Sequence, residues 1–571
     1  MRRFFLSLYA GLLAFFFAQV FTAQVLGLAG IYRAIAVIPL TVLLTVLAVR
    51  IYWRWGGEAF LAQLPEERPL PAWANHVLAV AGILLVLAIA VIPTALWPLS
   101  PVSETLHWDA GAYHFPKAVE LYKSGNVWDL SIPYGEFPFG YESMLSFALL
   151  LAGKETFFGL IHALTALTAF LGLWLLARRA TTLPDGVLMF LAGLIFVSEA
   201  ITVRGNPFYI FLDQSHMIGK NDLFLATGVI AAFAHAPLGR TPQNSRIHLP
   251  GLVYATLLVL ATKPGGMFAV APLWLAVLWE WLKGWKTTPR WRELGFSALF
   301  IIPGGLWAVR NLFIIHTIFP EGVWEMNEWS IANNLTNPYF YNYLPRNFVF
   351  LLVVLGVSLA LTLLRKKPYW RIPVAFLLLF IGFIFTPESG FMKTTQVPTQ
   401  TAWRLGIALV AYEVVVLLAL IEPFLNAVLK RLPPVWIAVP AILIACGLVI
   451  YTRDLYRLNP QNAIVLRDEF RESVGVDGYH SAYDFVQRNL RHKVIQVEGG
   501  VFYYLYGPGY TNFPTKRQYP LGREHMVPQL DPQYLVVIPH GDPFQPSEDF
   551  WKRWKIVYRD SQGLVLERIA P

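Results

Sequence analysis

Apolar stretches recur along this chain with only short polar connections between most of them. They run over Phe4–Ala29, Ile31–Trp53, Asn75–Leu96, Phe157–Leu176, Gly186–Ile201 and Leu223–Ala236. They continue over Leu249–Ala261, Met267–Trp281, Leu294–Ile315, Phe348–Leu364, Ile372–Phe385, Leu405–Leu425 and Val435–Ile450. A helix of about 20 apolar residues crosses a bilayer, so the pattern predicts a polytopic α-helical membrane protein of about thirteen spans. The first apolar run exceeds the roughly 7–15 residues of a signal-peptide core and is followed at once by another. It reads as an uncleaved span.

One interruption is ambiguous. Lys263-Pro264-Gly265-Gly266 either breaks one helix or turns the chain between two. Charge separates the readings. Two crossings place Arg240 and Arg246 on the same face as Lys283 to Arg292, as the positive-inside bias prefers. The N-terminus is then cytoplasmic. Arg2, Arg3, Arg50, Arg54, Arg178, Arg179, Arg365 to Arg371, Lys430 and Arg431 fall on that same face.

From about Thr452 the pattern becomes that of a small α/β domain. It predicts a helix over Ser481–Leu490, strands over Val494–Val497 and Gln533–Ile538, and a helix over Ser547–Trp554. A closing hairpin pairs Lys555–Tyr558 with Leu564–Arg568. The expected organisation is a transmembrane domain over residues 1–451 and an extracytoplasmic domain over residues 452–571, in a multi-pass protein of the plasma (inner) membrane.

Composition agrees: 56% of residues are hydrophobic and only 14% charged, against about 25% charged in soluble domains. The net charge of +9 resides in the short basic loops, so it is a topology signal and excludes nucleic acid as the expected partner. The single Cys446 allows no intrachain disulfide.

The candidate chemistry lies in loops on the predicted outer face. In the loop over residues 98–155, His107, Asp109, Tyr113, His114, Lys117 and Glu120 crowd into a short stretch. Ala112–Ser124 reads as an interfacial helix with Lys117, Glu120 and Lys123 on its polar side, stopped by Gly125-Asn126. Tyr141–Ala152 reads as a re-entrant or interfacial piece. A carboxylate here can deprotonate an acceptor hydroxyl, while cations from other outer loops stabilise a departing phosphate. The alternative is that Asp109 caps the helix that follows it.

Asp109-Ala110-Gly111-Ala112-Tyr113-His114-Phe115-Pro116 resembles the first external loop of the GT-C glycosyltransferases, among them protein O-mannosyltransferases and the aminoarabinose transferases of lipid A. Lys220-Asn221-Asp222-Leu223 is similar to the opening of the span that carries the family's second acid. Trp307-Ala308-Val309-Arg310-Asn311, followed by Phe319-Pro320, is similar to a further helix end. Many relatives have Asp-Glu where this chain has Asp109-Ala110.

The resemblance implies a GT-C-like fold and a polyprenyl-phosphate sugar as donor, with a glycan, lipid or protein as acceptor. It implies Asp109 as general base and Asp222 orienting acceptor or sugar; a single displacement with a base and no covalent nucleophile is then expected to invert the anomeric centre. Arg310, Lys220, Lys263, Lys393 and Arg404 would supply the phosphate site, and His107, Tyr113, His114 and Trp324 the acceptor or sugar site. No cofactor or metal is expected.

Several alternatives stay open. Arg310 pairs internally with Glu321 or Glu388, Lys263 snorkels to the interface, and Arg404 anchors its helix. The aromatic residues of Thr317–Arg346 form a sugar-stacking wall or an ordinary interfacial belt. Tyr503, Tyr504, Tyr506 and Tyr510 bind a glycan or pack a core. Rival functions are a transporter or flippase of a lipid-linked glycan, a membrane-bound assembly subunit, and a polymerase or ligase using a diphosphate-linked donor.

Overall fold

The computed structural model describes residues 1–65, 70–95, 109–128, 135–201, 218–236, 247–284, 290–316, 318, 356, 360, 407–455, 481–498, 503–515, 531–538, 544–561 and 563–569. It is mainly helical, with a small mixed sheet near the C-terminus. The helices are α1 (Arg2–Leu28), α2 (Ala34–Tyr52), α3 (Ala72–Val86), α4 (Phe115–Ser124), α5 (Gly140–Ala152), α6 (Phe158–Ala180), α7 (Asp185–Ile201), α8 (Asp222–His235) and α9 (Leu249–Thr262). They continue as α10 (Gly266–Gly284), α11 (Trp291–Ile301), α12 (Leu306–Ile315), α13 (Ile407–Arg431), α14 (Val435–Leu455), α15 (Ser481–Asn489) and α16 (Glu548–Trp551).

Among the described residues, four helical stretches are long and apolar enough to cross a membrane: Arg2–Leu28, Ala34–Gln63, Glu155–Ala180 and Trp291–Ile315. A fifth forms if Ile421–Arg431 and Val435–Ile450, bent by 111°, count as one span. Six further apolar helices are shorter, including α5, α8 and α9. The predicted total of about thirteen spans is therefore not reached by the described helices; the runs at Phe348–Leu364 and Ile372–Phe385 lie almost wholly outside them.

The break at Lys263 is a turn between two antiparallel helices. Trp274 Nε1 donates to Thr256 Oγ1 at 2.9 Å, although eighteen residues of straight helix would separate them by about 27 Å. A Cβ on Gly266 would lie 3.1 Å from the Val259 carbonyl oxygen, so the chain folds back tightly at this glycine.

Hydrogen bonds and ion pairs sort the helix ends into two poles. At one, Asp185 receives Arg2 Nε at 2.8 Å, Arg178 Nη1 at 3.2 Å and Trp174 Nε1 at 3.2 Å. Tyr52 and His235 meet there at 3.0 Å. The sequence pattern treats Arg178 and Arg179 as loop charges, yet both are buried. A helix leaves its last carbonyls unsatisfied, and these guanidinium groups complete them. Arg178 donates to Thr181 O at 2.6 Å, and Arg179 to Ala234 O and Ala236 O, each at 2.6 Å.

The opposite pole holds the end of α1, the start of α2, α4, the start of α5 and the end of α9. Arg33 donates to the carbonyls of Lys123 and Ser124 at 2.9 Å each, placing a cation at the C-terminal end of α4, where the helix dipole favours it. Gly125 ends α4 in the left-handed region, φ 75°, as its position in the sequence predicts.

The sheet has strand order β2-β1-β3-β5-β4, from β1 (Val494–Glu498), β2 (Phe513–Thr515), β3 (Tyr534–Val537), β4 (Trp554–Arg559) and β5 (Leu564–Arg568). β1 runs parallel to β2 and β3, whereas β5 is antiparallel to both β3 and β4. All the predicted strands are present; β2, only three residues long and containing Pro514, carries no alternating pattern and was not predicted.

Candidate functional site

The segment Gly219–Asp222 organises the second pole. Lys220 Nζ lies 3.4 Å from Asp109 Oδ2, and Lys263 Nζ forms an ion pair with Asp222 Oδ1. Lys220 and Asp222 are two residues apart, at most about 7 Å of chain, so one short segment carries a member of each pair. Each has one buried and one more accessible member: the side chains of Lys220 and Asp222 are 1% and 3% exposed, those of Asp109 and Lys263 15% and 29%. Four site residues named from sequence, Asp109, Lys220, Asp222 and Lys263, thus form two ion pairs anchored on one segment although they come from three separate stretches of chain.

Local structure explains how. Asp109 precedes a wide helical turn, Ala110–His114, that runs into α4. Its side chain makes no capping bond to that turn; the carboxylate is aimed at Lys220. Gly219 has φ 93°, and a Cβ there would stand 2.7 Å from Phe115 Cε1. This is the one place in the site where both the backbone conformation and the space require glycine. Its amide donates to Tyr141 Oη at 3.3 Å.

A second cluster joins the start of α4 to α5. His114 Nδ1 and Glu142 Oε1 are 2.6 Å apart, and Lys117 Nζ is 3.8 Å from the same oxygen. Lys117 also donates to the Pro138 carbonyl at 2.8 Å. The sequence pattern places Lys117 on the polar face of an interfacial helix, and the structure corrects this: Lys117 is buried. Burial pushes its ammonium below the usual lysine range, with Glu142 opposing that shift. Glu142 was not singled out from sequence; a lone acid in an otherwise apolar helix was the available signal.

Arg310, 2% exposed on α12, directs its guanidinium at the loop between α4 and α5. Nη1 donates to Val127 O at 3.1 Å and Nη2 to Glu136 O at 2.9 Å. Nε and Nη2 donate to Asn311 Oδ1 at 3.2 and 3.0 Å, while Asn311 Nδ2 donates to Glu136 O at 2.9 Å. Glu321 and Glu388, the partners considered from sequence, lie outside the described residues.

The acceptor-site residues divide. His114 is buried against Glu142, and half-buried Tyr113 rests on the His114 ring, centroids 4.2 Å apart. His107, Trp324, Lys393 and Arg404 lie outside the described residues. Among the described residues no three His, Cys, Asp or Glu side chains gather as a metal-binding group.

The tyrosine cluster of the C-terminal domain packs onto the same pole. Tyr503 meets Phe115 edge-on at 5.1 Å between centroids, and Tyr510 donates to Glu155 Oε2 at 2.9 Å. Lys123 Nζ donates to Asn512 O at 2.6 Å and lies 4.3 Å from the Phe513 ring centroid.

No family model matches the chain, and no curated protein matches it. Among solved structures, the chain is similar to an oligosaccharyltransferase of Archaeoglobus fulgidus, described as a complex with Zn and sulfate. Identity is 12% over 81% of this chain and 68% of the archaeal one, with a TM-score of 0.32. An overlap this loose does not establish a shared fold.

Proposed function

We propose that this protein is an integral membrane glycosyltransferase, GT-C-like in fold, that moves a sugar from a polyprenyl-phosphate donor to an acceptor hydroxyl. The acceptor is a glycan, a lipid or a protein. The observation that supports this reading is that the short segment Gly219–Asp222, at one pole of an apolar helical bundle, carries one member of each of two carboxylate–ammonium pairs, with Asp109 and Lys263 as the partners.

In the proposed reaction the acceptor oxygen attacks the anomeric carbon while the bond from that carbon to the phosphate oxygen breaks. Asp109 takes the acceptor proton, and polyprenyl phosphate leaves with the bonding electron pair. A single displacement inverts the anomeric centre. Lys220 pairs with Asp109 at rest; Lys220 and Lys263 turn to the phosphate, where cations oppose the negative charge that develops. Asp222 holds Lys263 until then. The two ammonium groups supply the positive charge, so the reaction is assigned no metal or other cofactor. Arg310 shapes the loop over which the substrates lie, rather than binding phosphate in this arrangement.

The sidedness follows from charge. With the basic connections in the cytoplasm, the pole carrying Asp109 and the domain over residues 452–571 lie outside the plasma membrane.

The test is to incubate purified protein with a panel of polyprenyl-phosphate sugars and follow release of polyprenyl phosphate. One donor should turn over, and Asp109→Asn should lower the rate about 10²- to 10⁴-fold, the usual worth of a general base. Wild-type protein that consumes no donor would overturn the proposal.

A further inference from the structure

Phe115 sits at the meeting point of three parts of the chain. It is the first residue of α4, directly after the turn that begins beyond Asp109. One side of its ring faces Gly219, so closely that a Cβ there would be 2.7 Å from Cε1 and 3.1 Å from Cζ. The ring also meets the Phe158 ring at 4.6 Å between centroids and, edge-on, the Tyr503 ring at 5.1 Å. Both Phe115 and Tyr503 are buried.

The domain does not rest on this ring alone. Tyr510 Oη lies 3.3 Å from Tyr503 Oη and donates to Glu155, just before α6. Lys123, two helical turns beyond Phe115, donates to Asn512 O and lies 5.2 Å from the Tyr506 ring centroid. Tyr503, Tyr510 and Asn512 therefore grip both ends of α4 and the start of the helical stretch that leads into α6.

We propose that the C-terminal domain is a structural member of the catalytic centre, in which Tyr503 is a positioning residue that acts through Phe115 and Gly219 to set the approach of Lys220 to Asp109. The inference rests on the glycosyltransferase reading for its kinetic consequence but not for its geometry. A closely packed interior transmits displacement, because its side chains have no slack to absorb it. Without the Tyr503 ring, Phe115 has room to tilt away from Gly219. The segment that carries Lys220 and Asp222 then loses the wall it is pressed against. Both cation–carboxylate pairs depend on that segment, so a shift of it moves both.

The experiment compares Tyr503→Leu and Tyr503→Phe with wild type in two measurements. The first is turnover of the lipid-linked donor. A misplacement on the order of 1 Å costs up to about 100-fold in rate, so Tyr503→Leu should lower kcat between about 10- and 100-fold with the donor KM within about twofold. Tyr503→Phe keeps the ring and should restore kcat to within about twofold of wild type. The second is hydrogen–deuterium exchange of peptides covering residues 109–124 and 218–225, which needs no substrate. Exchange should rise in both peptides for Tyr503→Leu and in neither for Tyr503→Phe.

Unchanged kcat and unchanged exchange in Tyr503→Leu would overturn the inference and leave the glycosyltransferase reading intact. Exchange that rises only in residues 503–515 would also overturn it, since the effect would then be confined to the domain. If wild-type protein turns over no donor, the functional reading falls, and the exchange result alone decides whether the domain positions the pair.

Discussion

Arg310 gives the sharpest division between a residue that binds substrate and one that shapes the site. Its two outer nitrogens hold the carbonyls of Val127 and Glu136 at 3.1 and 2.9 Å. A hydrogen bond to a charged group contributes about 1.5–3 kcal/mol, so Arg310→Leu removes about 3–6 kcal/mol of support from the loop between α4 and α5. Lysine keeps the charge but is a compact point rather than a planar fork; it can serve one carbonyl, and Arg310→Lys loses about half as much.

The amide of Val127 donates to Gly27 O at 3.2 Å, so its exchange with deuterium reports loop opening. With tenfold per about 1.4 kcal/mol, Arg310→Leu should speed exchange there by at least about 100-fold, and Arg310→Lys by at least about tenfold. A phosphate-binding role predicts a different outcome: charge would matter more than shape, donor KM would rise, and Arg310→Lys would keep most activity. Loop exchange unchanged in Arg310→Leu, with donor KM raised, would refute the clamp and return Arg310 to the phosphate.

Two further outcomes are expected. Lys263→Met removes a cation whose side chain is 29% exposed and which opposes the charge developing on the leaving phosphate; kcat should fall about tenfold with the donor KM within about twofold, the pattern of an interaction made in the transition state, and a raised KM with kcat unchanged would limit the residue to holding the donor. Gly193→Leu should abolish a monodisperse folded preparation, because a Cβ at that position lies 2.6 Å from the Gly82 carbonyl oxygen on the facing helix α3. Gly11→Ala, where an added Cβ meets nothing within 4 Å, should melt within a few degrees of wild type; equal behaviour of the two variants would show that the backbones are not in close contact.

Much of this arrangement was legible in the sequence where it depends on local pattern. The helix at Ser481, the strand at Val494 and the hairpin ending at Arg568 follow from alternation and turn residues, and each lies close to its expected bounds. The turn at Lys263-Pro264-Gly265-Gly266 was legible through charge on its flanks. What local pattern cannot give is which face of a short polar helix turns inward. Lys117, Glu120 and Lys123 look alike as a solvated face, yet Lys117 is drawn inward by Glu142 and Lys123 is covered by the C-terminal domain. Each displacement is caused by a partner that lies outside the helix itself.

The same distinction applies to the site. Lys220 and Lys263 were read from sequence as ligands of a phosphate, and the structure pairs each with a carboxylate first. A buried ammonium ion such as that of Lys220, 1% exposed, is costly unless it is paired, so cations kept ready for an anion must be held by acids meanwhile. On the proposed reading this requirement couples the two halves of the chemistry. A donor phosphate that engages Lys220 draws the ammonium from Asp109, and the carboxylate is released to accept the acceptor proton only when a donor is present. The pairing that satisfies buried charge at rest thereby also withholds the base until the donor has bound.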